Sequence, residues 1–132
     1  MKYAILGDIH SNWEALSAVL EKAQELDVDG YLCTGDIVGY NACPRECLQK
    51  MREIEPEYIV KGNHDEYACS DIPLTGFNPQ AAKAVEWTRR QLSDEDMQML
   101  SALPYRIRDK NRFEMVHATL GMPHMWGYIF DR

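Results

Sequence analysis

The sequence of 132 residues lacks two features that define large functional classes. No apolar run approaches the roughly 20 residues needed to cross a bilayer, so we expect no membrane span. Basic residues are in the minority, with 14 Lys and Arg against 21 Asp and Glu and a net charge of −7. Because nucleic-acid binding needs a basic surface, this composition argues against a nucleic-acid footprint. A phosphate-bearing ligand stays compatible with the charge, since bound cations would reverse it locally.

The chain has four cysteines, and their spacing does not fit a zinc ribbon. The chain has Cys33, Cys43, Cys47 and Cys69, with the middle pair four residues apart. The apolar stretch at the N-terminus is too short for a secretory signal peptide. We therefore expect free thiols and a cytoplasmic location. The length predicts one domain, or part of one.

What the chain does contain is a recurring pattern in which a short apolar run ends at Gly and polar residues follow. Gly-Asp-Ile-His starts at Gly7, Gly-Asp-Ile-Val at Gly35 and Gly-Asn-His-Asp at Gly62, with spacings of 28 and 27 residues. A strand followed by a helix occupies about this length. A fourth apolar run ends at His117.

Helical periodicity and capping residues predict two helices between three strands. The strands are expected at 2–6, 31–34 and 57–60, and the helices at 12–26 and 44–54, with Asn12 as the N-cap and Pro44 at the first helical position. This alternation predicts an α/β fold with a parallel βαβαβ sheet. In such sheets, ligands bind at the carboxyl ends of the strands. The spacing therefore predicts one common edge for Asp8, His10, Asp36, Asn63 and His64.

The second half of the sequence predicts further helices and a hairpin. We expect helices at 79–92 and 93–103, the second opened by a capping box of Ser93 and Asp96. Segments 105–108 and 112–117 predict a β-hairpin around a turn at 109–111. The tail from residue 121 is rich in Met and aromatic residues without a clear period.

The side chains at the predicted sheet edge suit two divalent metal ions. Asp8 and His10, two residues apart, can reach one ion from a tight loop. Asp36, from the neighbouring strand, is the expected bridging carboxylate, and Asn63 and His117 supply an amide oxygen and an imidazole to the second ion. Mixed carboxylate, imidazole and amide ligands do not discriminate sharply among Mn, Fe, Zn and Ni.

Together these motifs resemble the calcineurin-like metallophosphoesterase superfamily. The residues that carry the resemblance are Asp8-Ile9-His10, Gly35-Asp36, Gly62-Asn63-His64-Asp65 and Val116-His117, and the continuation through Val38-Gly39-Tyr40-Asn41, Pro44 and Cys47 resembles its bacterial and archaeal phosphodiesterase-like branch. The resemblance spans residues 2–119. It implies that the chain folds as the N-terminal part of a four-layer αββα domain.

The resemblance further implies metal-dependent hydrolysis of a small phosphoester, in which a hydroxide held between two ions attacks phosphorus. His64 would be the general acid that protonates the leaving oxygen. Asp65 would hold the other ring nitrogen of His64 and favour the protonated imidazole. The branch resemblance favours a diester or nucleotide-type substrate over a phosphoprotein.

One feature of the superfamily is missing from the sequence. Its pattern closes with a Gly-His-X-His segment that gives one more imidazole to each ion, whereas this chain has only His10, His64, His117 and His124 and no such segment. We therefore expect residues 1–132 to be a metallophosphoesterase-like domain without that segment. C-terminal truncation is the simplest explanation, and a partner chain that donates ligands or a weak single-metal site are alternatives.

The missing segment leaves a second function open. The chain would then be a catalytically impaired or inactive fragment that acts as a binding or assembly module. An unfinished sheet edge and an exposed aromatic tail would drive a homodimer in that case.

Overall fold

The computed structural model describes residues 1–110 and 112–130. At its centre, three parallel strands lie in the order β1 (Tyr3–Leu6), β2 (Gly30–Cys33) and β3 (Tyr58–Ile59). Pairs form between β1 and β2 from Tyr3–Gly30 to Leu6–Cys33, and between β2 and β3 at Leu32–Tyr58 and Cys33–Ile59. The predicted α/β class with a parallel βαβαβ sheet is confirmed, and the four-layer arrangement stays a prediction.

Helices α1 (Trp13–Glu25) and α2 (Pro44–Ile54) connect these strands. Asn12 caps α1 as predicted, because its Oδ1 accepts the Ala15 N–H at 3.0 Å. Pro44 begins α2, where its missing N–H would have no helical partner. The buried faces of both helices pack against one face of the sheet and form a hydrophobic core with it. This core includes Leu16, Leu20, Cys33, Ile37, Leu48 and Met51.

A β-hairpin covers part of the opposite face of the sheet. Its antiparallel strands are β4 (Arg106–Asp109) and β5 (Phe113–Val116), which confirms the predicted hairpin, whereas the predicted turn residue Asn111 lies outside the described residues. Met115 of the hairpin packs with Leu32 and Val60. This cluster reaches Tyr3 of β1 but leaves Ile5 of the same strand 69% exposed.

Three further helices follow β3: α3 (Asn63–Ala68), α4 (Pro79–Gln91) and α5 (Asp94–Ala102). The predicted capping box of α5 is present, with the Ser93 hydroxyl accepting the Asp96 N–H and the Asp96 carboxylate accepting the Ser93 N–H. Helix α3 was not predicted, because its first residues were interpreted only as candidate site residues at the end of the third strand. None of the helices in the described part of the chain is long and apolar enough to span a membrane.

Candidate metal centre

The predicted ligands do converge at the carboxyl end of the sheet. They line one open cleft of about 360 Å³ that contains Asp8, His10, Asp36, Asn63 and His117, together with His64 and Tyr40. Asp65 lies behind the cleft and is fully buried. The sheet edge therefore places six of the seven predicted site residues around a common space.

Backbone hydrogen bonds hold the loops after β1 and β2 side by side. The Asp8 N–H donates to the Gly35 carbonyl at 3.1 Å, and the His10 N–H donates to the Asp36 carbonyl at 2.9 Å. Several non-glycine residues of these loops have a left-handed backbone: Asp8 (φ 50°), His10 (48°), Ser11 (58°), Asp36 (55°) and Tyr40 (51°). Such conformations cost free energy and concentrate at functional sites, where surrounding contacts enforce them.

The Asp36 carboxylate lies at the middle of the cluster. Its Oδ1 accepts the backbone N–H of His64 at 2.8 Å. Its Oδ2 lies 3.6 Å from Nε2 of His10 and 3.4 Å from Nε2 of His117. One oxygen of this buried carboxylate therefore faces two imidazoles that arrive from different parts of the chain.

Both imidazoles are oriented by backbone carbonyls. Nδ1 of His10 lies 3.2 Å from the Val38 carbonyl oxygen, and Nδ1 of His117 lies 2.8 Å from that of Thr34. Because a carbonyl only accepts, each Nδ1 must carry the proton. Each Nε2 is thereby directed at Asp36. Metal-binding histidines typically donate their other ring N–H to a carbonyl or carboxylate in this way.

His117 and Asp36 form an ion pair at the middle of the cluster. Burial disfavours the charge on His117, but its hydrogen bond and attraction to Asp36 prevail and raise its pKa to about 9. Burial likewise raises the pKa of Asp36, but the hydrogen bond and charge of His117 outweigh it and bring the pKa below its ordinary value. Burial lowers the pKa of His64, against the attraction of Asp36.

The remaining predicted ligands stand on either side of this pair. Asn63 places Oδ1 at 3.2 Å from Nε2 of His117, so an amide oxygen faces the same space as that imidazole. Asp8 is on the rim: its side chain is 70% exposed, and its Oδ1 lies 3.7 Å from Nε2 of His10. Ligand atoms of Asp8, Asp36 and His117 all lie within 4.8 Å of one another, as do those of His10, Asp36 and His64.

Asp36 belongs to both of these groups, although the predicted partners Asp8 and His10 fall in different groups. Carboxylate, imidazole and amide donors in this arrangement fit divalent transition-metal ions. The position of His64 in one group gives its ring a geometry that suits a metal ligand as well as a proton donor.

The predicted hydrogen bond between Asp65 and the imidazole of His64 was wrong. The Asp65 carboxylate instead accepts backbone N–H groups of Asp36 (2.8 Å), Ile37 (2.9 Å), Val38 (3.2 Å) and Gly62 (3.0 Å). The reason is the unpredicted helix α3, because Asp65 occupies its third position and turns back to cap its N-terminus. Within the described residues, Nδ1 of His64 has no hydrogen-bond partner.

Asp65 therefore acts on the site through the backbone. It holds the loop after β2 against the start of α3, and that loop carries Asp36. Burial and the charge of Asp36 raise the pKa of Asp65 to about 7, and the amide hydrogen bonds of Gly62, Val38 and Asp36 oppose this.

Two glycines allow the close approach of these loops. A Cβ at Gly39, where φ is +105°, would lie 2.5 Å from Nδ1 of His64. A Cβ at Gly62 would overlap Oδ1 of Asp36. Any larger residue at either position would displace a side chain of the centre.

Aromatic rings surround the cluster, and sequence reasoning had pointed to Tyr40 but not to Phe77 or Trp126. The ring of Tyr40 lies 4.7 Å from that of His10 and 4.4 Å from that of His64, and the ring of Trp126 lies 6.1 Å from that of His117, measured between centroids. Phe77, from the loop before α4, lies 6.1 Å from His64. Rings contributed by irregular segments have no periodic signal that would have placed them here.

Comparison with known proteins gives the same assignment as the geometry. The sequence pattern of the calcineurin-like phosphoesterases matches residues 1–129. An uncharacterized protein of Methanocaldococcus jannaschii, MJ0912, is 37% identical over 130 residues, which are 96% of this chain and 53% of that protein. The symmetrical bis(5'-nucleosyl)-tetraphosphatase of Psychromonas ingrahamii is 30% identical over 125 residues, or 92% of this chain and 45% of that protein.

A solved structure agrees over nearly the whole chain. The crystal structure of a metallophosphoesterase from Sphaerobacter thermophilus has a TM-score of 0.82 and 41% sequence identity, and the match covers 98% of this chain and 51% of that one. The chain thus spans about half the length of the relatives it matches. With these matches and the clustered ligands, the chain belongs to the calcineurin-like phosphoesterase family.

Proposed function

We propose that this site hydrolyses phosphoesters with two divalent cations, and that a small diester or nucleotide-type molecule is the substrate. The observation that carries the proposal is Oδ2 of Asp36, which lies between Nε2 of His10 and Nε2 of His117. If each imidazole binds one ion, this oxygen lies where it can bind both ions, as a shared ligand must. Mn, Fe, Zn and Ni all suit the donor set.

In this proposal the ligands divide into two sets that share Asp36. Asp8 and His10 hold one ion with it, and Asn63 and His117 hold the other. When bound, such ions neutralise phosphate charge and lower the pKa of water to about 7, which makes a nucleophile available at neutral pH.

His64 has the role of proton donor to the leaving oxygen. Its ring lies between the ligand cluster on one side and the rings of Tyr40 and Phe77 on the other, which is where we expect the leaving group to depart. Asp65 is a positioning residue in this proposal, because its contacts are with the backbone that carries Asp36 and not with the ring of His64.

The test is the metal content and the hydrolytic activity of the purified chain. After a soak in Mn²⁺ and desalting, we expect about two ions per chain and Mn²⁺-dependent hydrolysis of bis(p-nitrophenyl) phosphate. The metal-stripped protein is the control and should be inactive until Mn²⁺ is restored. One ion or fewer per chain, with no hydrolysis, would contradict the proposal.

A second candidate function is a binding or assembly module, and exposed apolar surface favours it. Ile5 on β1 is 69% exposed, and the tail exposes Tyr128 (77%), Ile129 (79%) and Phe130 (87%). Surfaces of this kind mark association sites, and β1 also offers an unpaired strand edge. We propose a homodimer through this edge and tail.

Size-exclusion chromatography with light scattering tests the second candidate. The chain should give a dimer mass that shifts toward the monomer in Ile5→Lys. Ile72→Lys, which replaces an exposed apolar residue of the loop before α4, is the matched control and should stay dimeric. A monomer at all concentrations would rule out this assembly.

A further inference from the structure

A second cleft adjoins the metal centre, and aromatic rings line it. It has a volume of about 270 Å³ and shares the wall formed by Tyr40, Asn63, His64, Trp126 and Tyr128 with the metal-site cleft. Beyond that wall it extends to Tyr67 and Phe77. A ligand held at the metal ions would therefore reach this cleft directly.

The rings form a continuous path that leads away from the metal ligands. The ring of Tyr40 lies 4.4 Å from that of His64, and His64 lies 6.1 Å from Phe77. Phe77 in turn meets Tyr67 edge to face, with centroids 4.6 Å apart at 78°. In an edge-to-face pair, the ring that presents its edge keeps both of its faces clear of its partner, so it can still stack on a planar ligand.

The charge of the two clefts differs. The lining of the metal-site cleft contains Asp8 and Asp36, whereas none of the described residues that line the second cleft is an Asp, Glu, Lys or Arg. Its polar groups are amides, hydroxyls and the His64 ring. At Asn78, Oδ1 accepts the N–H of Gln80 at 2.9 Å, which leaves the amide nitrogen as the hydrogen-bond donor of that side chain.

We propose that the second cleft, defined by Tyr40, Tyr67, Phe77, Asn78 and Trp126, is a nucleobase subsite. This inference rests on the proposed function for the phosphate end of the ligand, and it makes a nucleoside phosphate the substrate class. A base is planar, uncharged and edged with hydrogen-bonding groups, which matches ring faces and amides without charged residues. The sugar would bridge the two clefts at the shared wall.

A pair of ligands without phosphate tests the cleft independently of any metal. Adenosine and ribose differ only in the base, and neither needs the metal ions. In titrations of the metal-free protein followed by saturation-transfer NMR, we expect adenosine to bind about 5- to 150-fold more tightly than ribose, the range that stacking of one base supplies. Equal binding of the two, or no binding of adenosine, would overturn the subsite.

Substitutions at Phe77 test whether adenosine binds in the second cleft. Phe77→Leu should bring the affinity for adenosine down to that for ribose, whereas Phe77→Tyr should retain the preference because it keeps a ring face. Trp87→Leu, on the exposed side of α4, is the control and should not change it. Circular dichroism of each variant confirms folding, and a preference that survives Phe77→Leu in the folded protein would also overturn the proposal.

The connection to the metal centre is tested with adenosine 5'-monophosphate and ribose 5-phosphate in Mn²⁺. We expect adenosine 5'-monophosphate to bind more tightly than ribose 5-phosphate by the same factor as adenosine over ribose. If both bind equally, the subsite is wrong while the metal site stands. If Mn²⁺ strengthens neither, the proposed function fails, and the adenosine result still decides the subsite.

Discussion

The interior and the rim of the metal centre are held in place by different forces. In the interior, Asp36 and Asp65 are 2% and 0% exposed, and backbone N–H groups fix their carboxylates. On the rim, the side chain of Asp8 is 70% exposed, and its oxygen comes no closer than 3.7 Å to Nε2 of His10. In the proposed metal site, Asp36 would therefore be oriented before an ion binds, whereas Asp8 would depend on the ion to fix its position.

The largest effect is expected from removing the shared ligand. Asp36→Ala should reduce the metal content to background and abolish hydrolysis, because the carboxylate belongs to both ligand sets. Elemental analysis after the Mn²⁺ soak measures this. Metal content equal to that of the parent protein would sink the bridging assignment.

Removing the ring of His64 should separate chemistry from metal binding. We expect His64→Ala to keep its metal while hydrolysis slows by about 10²–10⁴-fold, the usual contribution of a general acid. Rates are measured at saturating Mn²⁺, with elemental analysis of the same samples. Loss of metal in this variant would instead make His64 a ligand, as its distance to His10 and Asp36 permits.

The buried support is tested by stability. Asp65→Asn replaces one acceptor oxygen with an NH₂ group. Because the neighbouring backbone groups are N–H donors, at least one hydrogen bond is lost and the NH₂ group faces a backbone N–H instead. We expect the free energy of unfolding to fall by about 3 kcal/mol, as for other broken buried charged networks. Urea unfolding of the metal-free protein measures the change, and a loss comparable to that of a surface substitution would contradict the supporting role.

The rim carboxylate should show the smallest effect on stability. Asp8→Asn should change the free energy of unfolding by no more than about 0.5 kcal/mol, as is usual for exposed positions. Its effect should appear in metal binding, with weaker retention of one ion while the other stays. If this variant unfolded as readily as Asp65→Asn, the contrast between interior and rim would be lost.

The sequence predicted the scaffold well because its signals are local. Gly7, Gly35 and Gly62 mark the ends of apolar runs, and Asn12 and Pro44 begin helices that the structure contains. Parallel strands share an edge, so the convergence of Asp8, His10, Asp36 and Asn63 on one cleft followed from the strand ends, whereas His117 reaches the cleft from the hairpin.

What the sequence could not supply were contacts between distant segments. The helical start at Asn63 turned Asp65 toward the backbone of Ile37 and Val38, and nothing in the pattern Gly-Asn-His-Asp distinguishes that from a bond to the imidazole. Phe77 and Trp126 lie in loops, so their approach to the centre depends on chain packing that periodicity does not encode.

The hydrogen bond from His117 to the Thr34 carbonyl has a consequence for the order in which the centre is assembled. It joins residues 83 positions apart, whereas the bond from His10 to Val38 joins residues only 28 apart. Longer loops cost more entropy to close. On a ribosome adding about 5–20 residues per second, Asp8, His10 and Asp36 exist on the order of 4 to 16 seconds before His117. In the proposed site, the ligands of the first ion would therefore depend on one βαβ unit, and the affinity for the second ion would depend on docking of the hairpin.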